Sequence, residues 1–167
     1  MAHSTPAFIC DCMLGRLAKN LRMLGFDTLY SRDASLKSLL DSAVRQQRIL
    51  LTRRTAVLKK KPEQTAAYFF IRSNAPAQQL QEVRTACGLT TADMAPFSVC
   101  LRCNARLAAI AKQAALGNVP EYVFTTVAEF SSCPQCGQIY WKGTHYARMA
   151  GELEKIMGPQ STAVHQL

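Results

Sequence analysis

Four of the seven cysteines stand in two pairs of identical spacing, Cys100-x-x-Cys103 and Cys133-x-x-Cys136, with 29 residues between the pairs. Each C-x-x-C closes a tight knuckle that aims two sulfurs at one ion, and two knuckles complete a tetrahedron. Thiolate sulfur in that arrangement selects zinc, or less often an iron centre. Asn104 and Gly137 directly follow the pairs, where a knuckle turn needs a left-handed backbone. Four sulfurs leave no open coordination position, so the zinc is expected to be structural, and its loss should unfold the small module around it. Cys10, Cys12 and Cys87 have no partner at this spacing and read as small core residues.

A second set of residues has the chemistry to meet phosphate. The chain carries 20 Lys+Arg against 11 Asp+Glu, a formal charge of +9. Residues 1–99 hold fourteen bases and seven acids, residues 100–167 six and four. Arg53, Arg54, Lys59, Lys60 and Lys61 crowd into nine positions. A local excess of this kind favours polyanions, usually nucleic acid; the plainer reading is a solvated basic face. Arg16 and Arg22 fall on the polar face of the first expected helix, open to phosphate contact or to simple solvation. Further along, Tyr140, Trp141, His145 and Tyr146 flank Lys142. Aromatics interleaved with a base can stack on unpaired nucleobases, or lock a small module to its neighbour. Four cysteines already fill a tetrahedron, so His145 is not required as a zinc ligand.

The elements that must position these residues follow from apolar spacing. Phe8-Ile9-Cys10 reads as a short strand ending at Asp11. Leu14, Leu17, Ala18, Leu21 and Leu24 recur at helical spacing, with Gly25 placed to stop the helix. A strand over Asp27 to Tyr30 and a helix over Ser35 to Gln47 follow, the latter with Leu36, Leu39, Leu40 and Ala43 inward. Ile49 to Thr52 is apolar on both faces and so central in its sheet. Ala67 to Ile71 makes a fourth strand, and Pro76 opens a helix that Gly88 closes. This alternation predicts an α/β fold, a mostly parallel sheet flanked by helices, with sites at the carboxyl ends of strands. Those ends are Asp11 and the Thr52-Arg53-Arg54 turn.

Residues 89–99 read as a linker, Val123 to Val127 as a strand, and Tyr146, Met149, Leu153 and Ile156 as one face of a final helix before a frayed tail. The expected division is residues 7–96 for the α/β unit, 97–149 for a zinc-binding module, and 150–167 for a helix end and tail. With 49% apolar and 19% charged residues the chain can fill a core, which excludes wholesale disorder. No apolar run approaches the ~20 residues of a membrane span, and there is no signal-peptide h-region. The expected compartment is therefore the cytoplasm, where seven cysteines argue against a disulfide framework.

Specific strings then become recognisable. Phe8-Ile9-Cys10-Asp11-Cys12-Met13-Leu14-Gly15-Arg16-Leu17-Ala18 and Leu21-Arg22-Met23-Leu24-Gly25-Phe26-Asp27-Thr28 resemble the opening of the Mut-seven C-terminal RNase domain family. So do Arg48-Ile49-Leu50-Leu51-Thr52-Arg53, Cys100-Leu101-Arg102-Cys103-Asn104, Cys133-Pro134-Gln135-Cys136-Gly137 and Tyr140-Trp141-Lys142-Gly143-Thr144-His145-Tyr146. The resemblance covers residues 8–149 in family order. It implies a PIN-like domain with an appended zinc ribbon. It also implies a cluster of carboxylates at strand ends that would hold Mg²⁺ or Mn²⁺ for phosphodiester hydrolysis. The first of those acids maps onto Asp11.

The chain departs from that pattern at two ligand positions. The family usually writes Thr-Arg-Asp after the third strand, where this chain has Arg54. It also usually carries an acid opening the second helix, where this chain has Leu36. Exchanging a carboxylate for a guanidinium swings the local charge by two units. Against a divalent ion about 6 Å away that is worth about 3 kcal/mol even at water's dielectric, around a hundredfold in binding. Asp11 then reads either as a surviving catalytic ligand or as the cap of the first helix. Asp33 and Asp41 are nearby acids that could substitute, neither at the family position. The favoured expectation is an RNA-binding protein of a ribonuclease family with a degenerate acidic site. Arg16, Arg22, Arg53, Arg54, Lys59, Lys60, Lys61, Lys142 and His145 would be its nucleic-acid contacts. Two alternatives stand beside it: an active Mg- or Mn-dependent ribonuclease using Asp11 with Asp33 or another acid, and a module whose ribbon recruits a protein partner.

Overall fold

The computed structural model describes residues 5–59 and 66–157. Strand β1 (Phe8–Cys10) lies between β2 (Thr28–Tyr30) and β3 (Ile49–Thr52), and β4 (Tyr68–Phe70) flanks β3. All three pairings are parallel, with Cys10 opposite Tyr30 on one side and Leu51 on the other. The order β2-β1-β3-β4 places the reversal of winding between β1 and β3. Crevices for ligands open at such a reversal, beyond the carboxyl ends of the strands.

Helices α1 (Gly15–Met23) and α3 (Pro76–Cys87) cover one face of the sheet and α2 (Leu36–Arg45) the other. The strand period of two divides the residues accordingly. Phe8, Cys10 and Leu51 join Leu14, Leu17, Leu21, Leu80 and Val83 in one core. Ile9 and Leu50 join Leu39, Leu40 and Ala43 in the other. Local signals end the helices as expected. Ser35 Oγ accepts from the Ser38 N–H at 3.1 Å to start α2, and Gly88 takes φ 61° after α3. Gly25 is required twice over. It takes φ 92°, and a Cβ there would lie 2.2 Å from the carbonyl oxygen of Ala95.

That close approach corrects the reading of residues 89–99 as a linker. The segment is a strap bound along the end of α1: the Ala95 N–H donates to Leu24 O at 3.0 Å, and the Phe97 N–H to Met23 O at 2.8 Å. Leu89, the first residue of the segment, is fully buried. Thr and Pro set its composition apart from the helices, yet backbone hydrogen bonds tie it to the end of α1.

The C-terminal module is a three-stranded antiparallel sheet, β5 (Ala108–Ile110), β6 (Phe130–Ser132) and β7 (Ile139–Trp141), in that order. The strand expected over Val123 to Val127 is instead α4 (Glu121–Thr126), preceded by Pro120. Val123 is buried against Ala115 and Phe130, and Val127 packs against the same cluster one helical turn away. The hydroxyls of Thr125 and Thr126 donate back to the Tyr122 carbonyl, at 3.0 and 2.6 Å, so neither is left without a partner in the helix. Helix α5 (Thr144–Met157) runs unbroken through residue 150 and returns to the first unit, where Met149 and Ile156 pack on its core. Among the described residues no helix is long and apolar enough to cross a membrane.

Candidate functional site

Asp11 ends β1 at the reversal point and is fully buried. Its side chain is engaged on every side. Oδ1 accepts from the Met13 N–H at 2.8 Å, capping the turn Cys12–Leu14 that leads into α1. Oδ2 accepts from Thr52 Oγ1 and from the Arg53 N–H at 3.0 Å, tying β1 to the end of β3. The Arg54 guanidinium closes the site, with Nε 4.0 Å from Asp11 Oδ2. It is anchored there by donating from Nη2 to the Ala34 carbonyl at 3.0 Å and to Cys12 Sγ at 3.3 Å.

This arrangement does not fit Mg²⁺ or Mn²⁺. Hard divalent ions need several oxygen ligands with free lone pairs. Here the one buried carboxylate is spent on protein donors and faces a fixed cation. Leu36 packs against the α2 side of the core, and Asp33 and Asp41 are exposed. Among the described residues the four cysteines are the one gathering of three or more His, Cys, Asp or Glu close enough to share an ion.

The predicted phosphate contacts separate into groups. Arg16 in the first turn of α1, Arg53 and Arg54 after β3, and Lys59 in the following turn all stand at the carboxyl edge of the sheet. Arg16 and Lys59 are exposed, Arg53 and Arg54 half-buried. Lys60 and Lys61 lie outside the described residues. Lys142 is exposed beyond β7 on the ribbon, far along the chain from the rest. His145 stands in the first turn of α5, and its side chain is outside the description.

Arg22 is a correction. It is 7% exposed rather than on an open face. Nε donates to Thr28 O at 2.8 Å, and Nη1 to the carbonyls of Leu101 and Arg102 at 3.0 and 3.2 Å. Burial lowers its pKa from the ordinary arginine value, while nearby Cys10, Cys100, Cys103 and Asp27 favour the charged form. Arg22 thus clamps the first cysteine knuckle to the parallel sheet and is unavailable to phosphate.

The cysteine cluster fits zinc. All four sulfurs lie within 4.8 Å of one another, with Cys100–Cys136 at 3.7 Å and Cys103–Cys133 at 3.2 Å. A tetrahedron with Zn–S near 2.3 Å sets its sulfurs about 3.8 Å apart. The two knuckles share a backbone pattern. The Cys100 N–H donates to Ala105 O and the Asn104 N–H to Cys100 O; the Cys133 N–H donates to Gln138 O and the Gly137 N–H to Cys133 O. Asn104 and Gly137 take φ 68° and 71°, the left-handed turns expected of them. Tyr140 braces the first knuckle, its hydroxyl accepting from the Leu101 N–H at 3.1 Å and lying 3.2 Å from Cys100 Sγ. Four thiolates around Zn²⁺ would carry a net charge of −2, which the buried Arg22 would partly offset.

A second tie joins the knuckle to β2. Asn104 Oδ1 accepts from the Thr28 N–H at 2.8 Å, and its Nδ2 donates to Asp27 Oδ1 at 2.5 Å. Arg48 grips the same carboxylate with both nitrogens, at 2.7 and 2.9 Å. Asp27 loses some hydration here, but hydrogen bonds from Arg48 and Asn104 outweigh that and hold its carboxyl below the usual 3.8. None of these ties was visible in the sequence. The one hint is that Arg22 sits four residues after the inward Ala18, at the margin of the apolar stripe.

No curated protein and no solved structure matches the chain. The family model of the Mut7-C RNAse domain, however, matches residues 6–153, a span that takes in the parallel sheet, the strap and both knuckles. The chain therefore belongs to the Mut7-C RNAse domain family.

Proposed function

We propose that the chain binds single-stranded RNA across the carboxyl edge of its parallel sheet and does not hydrolyse it. The observation that carries this reading is the seating of Arg54 against Asp11. Where relatives would place a carboxylate and a divalent ion, this chain places a permanent cation held by Ala34 and Cys12. A cation there suits a phosphate and repels a metal. Arg16, Arg53 and Lys59 add charge to the same edge, and Lys60 and Lys61 are expected to extend it. The zinc is structural and holds the ribbon in place.

The test is binding of a single-stranded RNA across a salt series, together with incubation in Mn²⁺. Affinity should fall steeply with salt. Replacing Lys59, Lys60 and Lys61 by Ala should lower the logarithmic salt slope by up to about two units, at ~0.7 per lost phosphate contact. The RNA should remain intact. The double variant Arg54→Asp with Leu36→Asp, which returns acids to both family positions, should gain Mn²⁺ binding. Robust wild-type cleavage would replace this reading with that of an active nuclease. Salt-independent affinity, or none, would favour a protein-interaction role.

A further inference from the structure

A groove of about 370 Å³ runs between the strap, the ribbon sheet and the start of α5, on a different part of the molecule from Asp11. Its volume lies in the range of sites that enclose a small ligand. Phe97, Tyr122, Tyr140, Trp141 and Tyr146 line it, with Lys142 beside them. From these residues we propose that the groove receives an unpaired nucleobase of the RNA, with Lys142 meeting the adjoining phosphate. This inference rests on the RNA-binding reading above and names a subsite for it.

Five features of the groove support this occupant over plain packing. Tyr122 is 70% exposed although it projects from α4 into the lining. A large ring left in water beside other rings is a platform for a flat partner. Phe97 holds φ 59°, a left-handed backbone costly for a bulky residue, and is kept there by its N–H bond to Met23 O. The consequence is a ring pair, Phe97 and Tyr146, with centroids 3.9 Å apart. Trp141 lies so close over Gly143 that a Cβ there would meet the indole nitrogen at 2.9 Å. Among the described residues none accepts from that indole N–H, which leaves a donor for the edge of a base. Lys142 in the lining supplies a cation for the phosphate next to the base. Glu129 also lines the groove, and its carboxylate suits a base bearing an exocyclic amino group.

Trp141 is the one tryptophan of the chain, so its emission has a single source, in the lining of this groove. The test compares an oligoadenylate with an abasic strand of equal length and charge. The oligoadenylate should quench Trp141 emission and bind at least tenfold more tightly than the abasic strand, which should leave the emission unchanged. Tyr122→Ala, at an exposed position, should melt with the wild type yet bind oligoadenylate about tenfold more weakly. Its affinity for the abasic strand should not change. Equal binding of the two strands, with steady emission, would overturn the groove assignment and leave RNA binding standing. Failure of both strands to bind would overturn both. A Tyr122→Ala protein that binds oligoadenylate like the wild type would also refute the subsite.

Discussion

Replacing Asp11 by Asn separates a structural carboxylate from a catalytic one. Every partner of Asp11 is a donor: the Met13 N–H, Thr52 Oγ1, the Arg53 N–H and, at 4.0 Å, the Arg54 guanidinium. Asparagine keeps one carbonyl oxygen but turns an N–H₂ group toward a site where the Thr52 hydroxyl, already accepting from the Arg54 N–H at 3.0 Å, is the nearest acceptor. In its better orientation the oxygen serves Thr52 and Arg53, and the amide confronts the Met13 N–H. A buried donor left unmet costs about 1–2 kcal/mol, and weakening two bonds from charged to neutral costs about 1 more. With Arg54 stripped of its partner, the total is about 3 kcal/mol. For a chain of this size that is roughly 6–12 °C in melting temperature. Thermal unfolding of the zinc-loaded protein by circular dichroism reads it directly. A melting temperature equal to or above wild type would refute the reasoning, because relief of that kind is expected where an acid is kept for metal binding at the expense of stability.

Purified protein should carry one zinc per chain by elemental analysis, and Cys103→Ser should lose it; because Arg22 ties the first knuckle to the sheet, that variant should also lower the unfolding temperature of the α/β unit rather than leave it untouched. Arg22→Lys keeps the charge but not the fork and should cost roughly 2–4 kcal/mol in urea denaturation, with a loss below about 1 kcal/mol counting against the clamp. The Asp27 carboxyl titrates lower in the folded state than its ordinary 3.8, so its contribution is present above that pH and disappears as pH falls below 3.8 through the folded value. Wild-type melting temperature should therefore fall more steeply over that interval than that of Asp27→Asn, and parallel curves would contradict the assignment.

Much of this was legible because the decisive signals were local. Gly25 and Gly88 stop helices through their own φ, and Asn104 and Gly137 close knuckles through theirs. The two-faced apolar pattern of Ile49 to Thr52 placed it inside the sheet, between β1 and β4. The substitution at Arg54 was readable from the family pattern, but its destination was not. Only the folded chain brings Ala34 O and Cys12 Sγ to the guanidinium. Arg22 failed for the same reason, since two of its three acceptors lie 79 and 80 residues away. Val123 to Val127 misled because β-branched residues favour strands on average, while Pro120 at the start and the packing of Val123 on Ala115 and Phe130 favour a helix here.

The Arg22 clamp also sets a clock on biosynthesis. A ribosome adding roughly 5–20 residues per second needs about 4–16 s to travel from Arg22 to the carbonyls that complete its coordination. Throughout that interval the guanidinium must keep its water, because burying it with one acceptor in place of three is unfavourable. The margin of α1 against β2 therefore lacks its last acceptors on the nascent chain even once β4, the last strand of the parallel sheet, has been made. The missing carbonyls belong to the first cysteine knuckle, and the second, at Cys133 and Cys136, is made later still. The seal between α1 and β2 in the N-terminal half of this protein is thus completed by carbonyls from its C-terminal half.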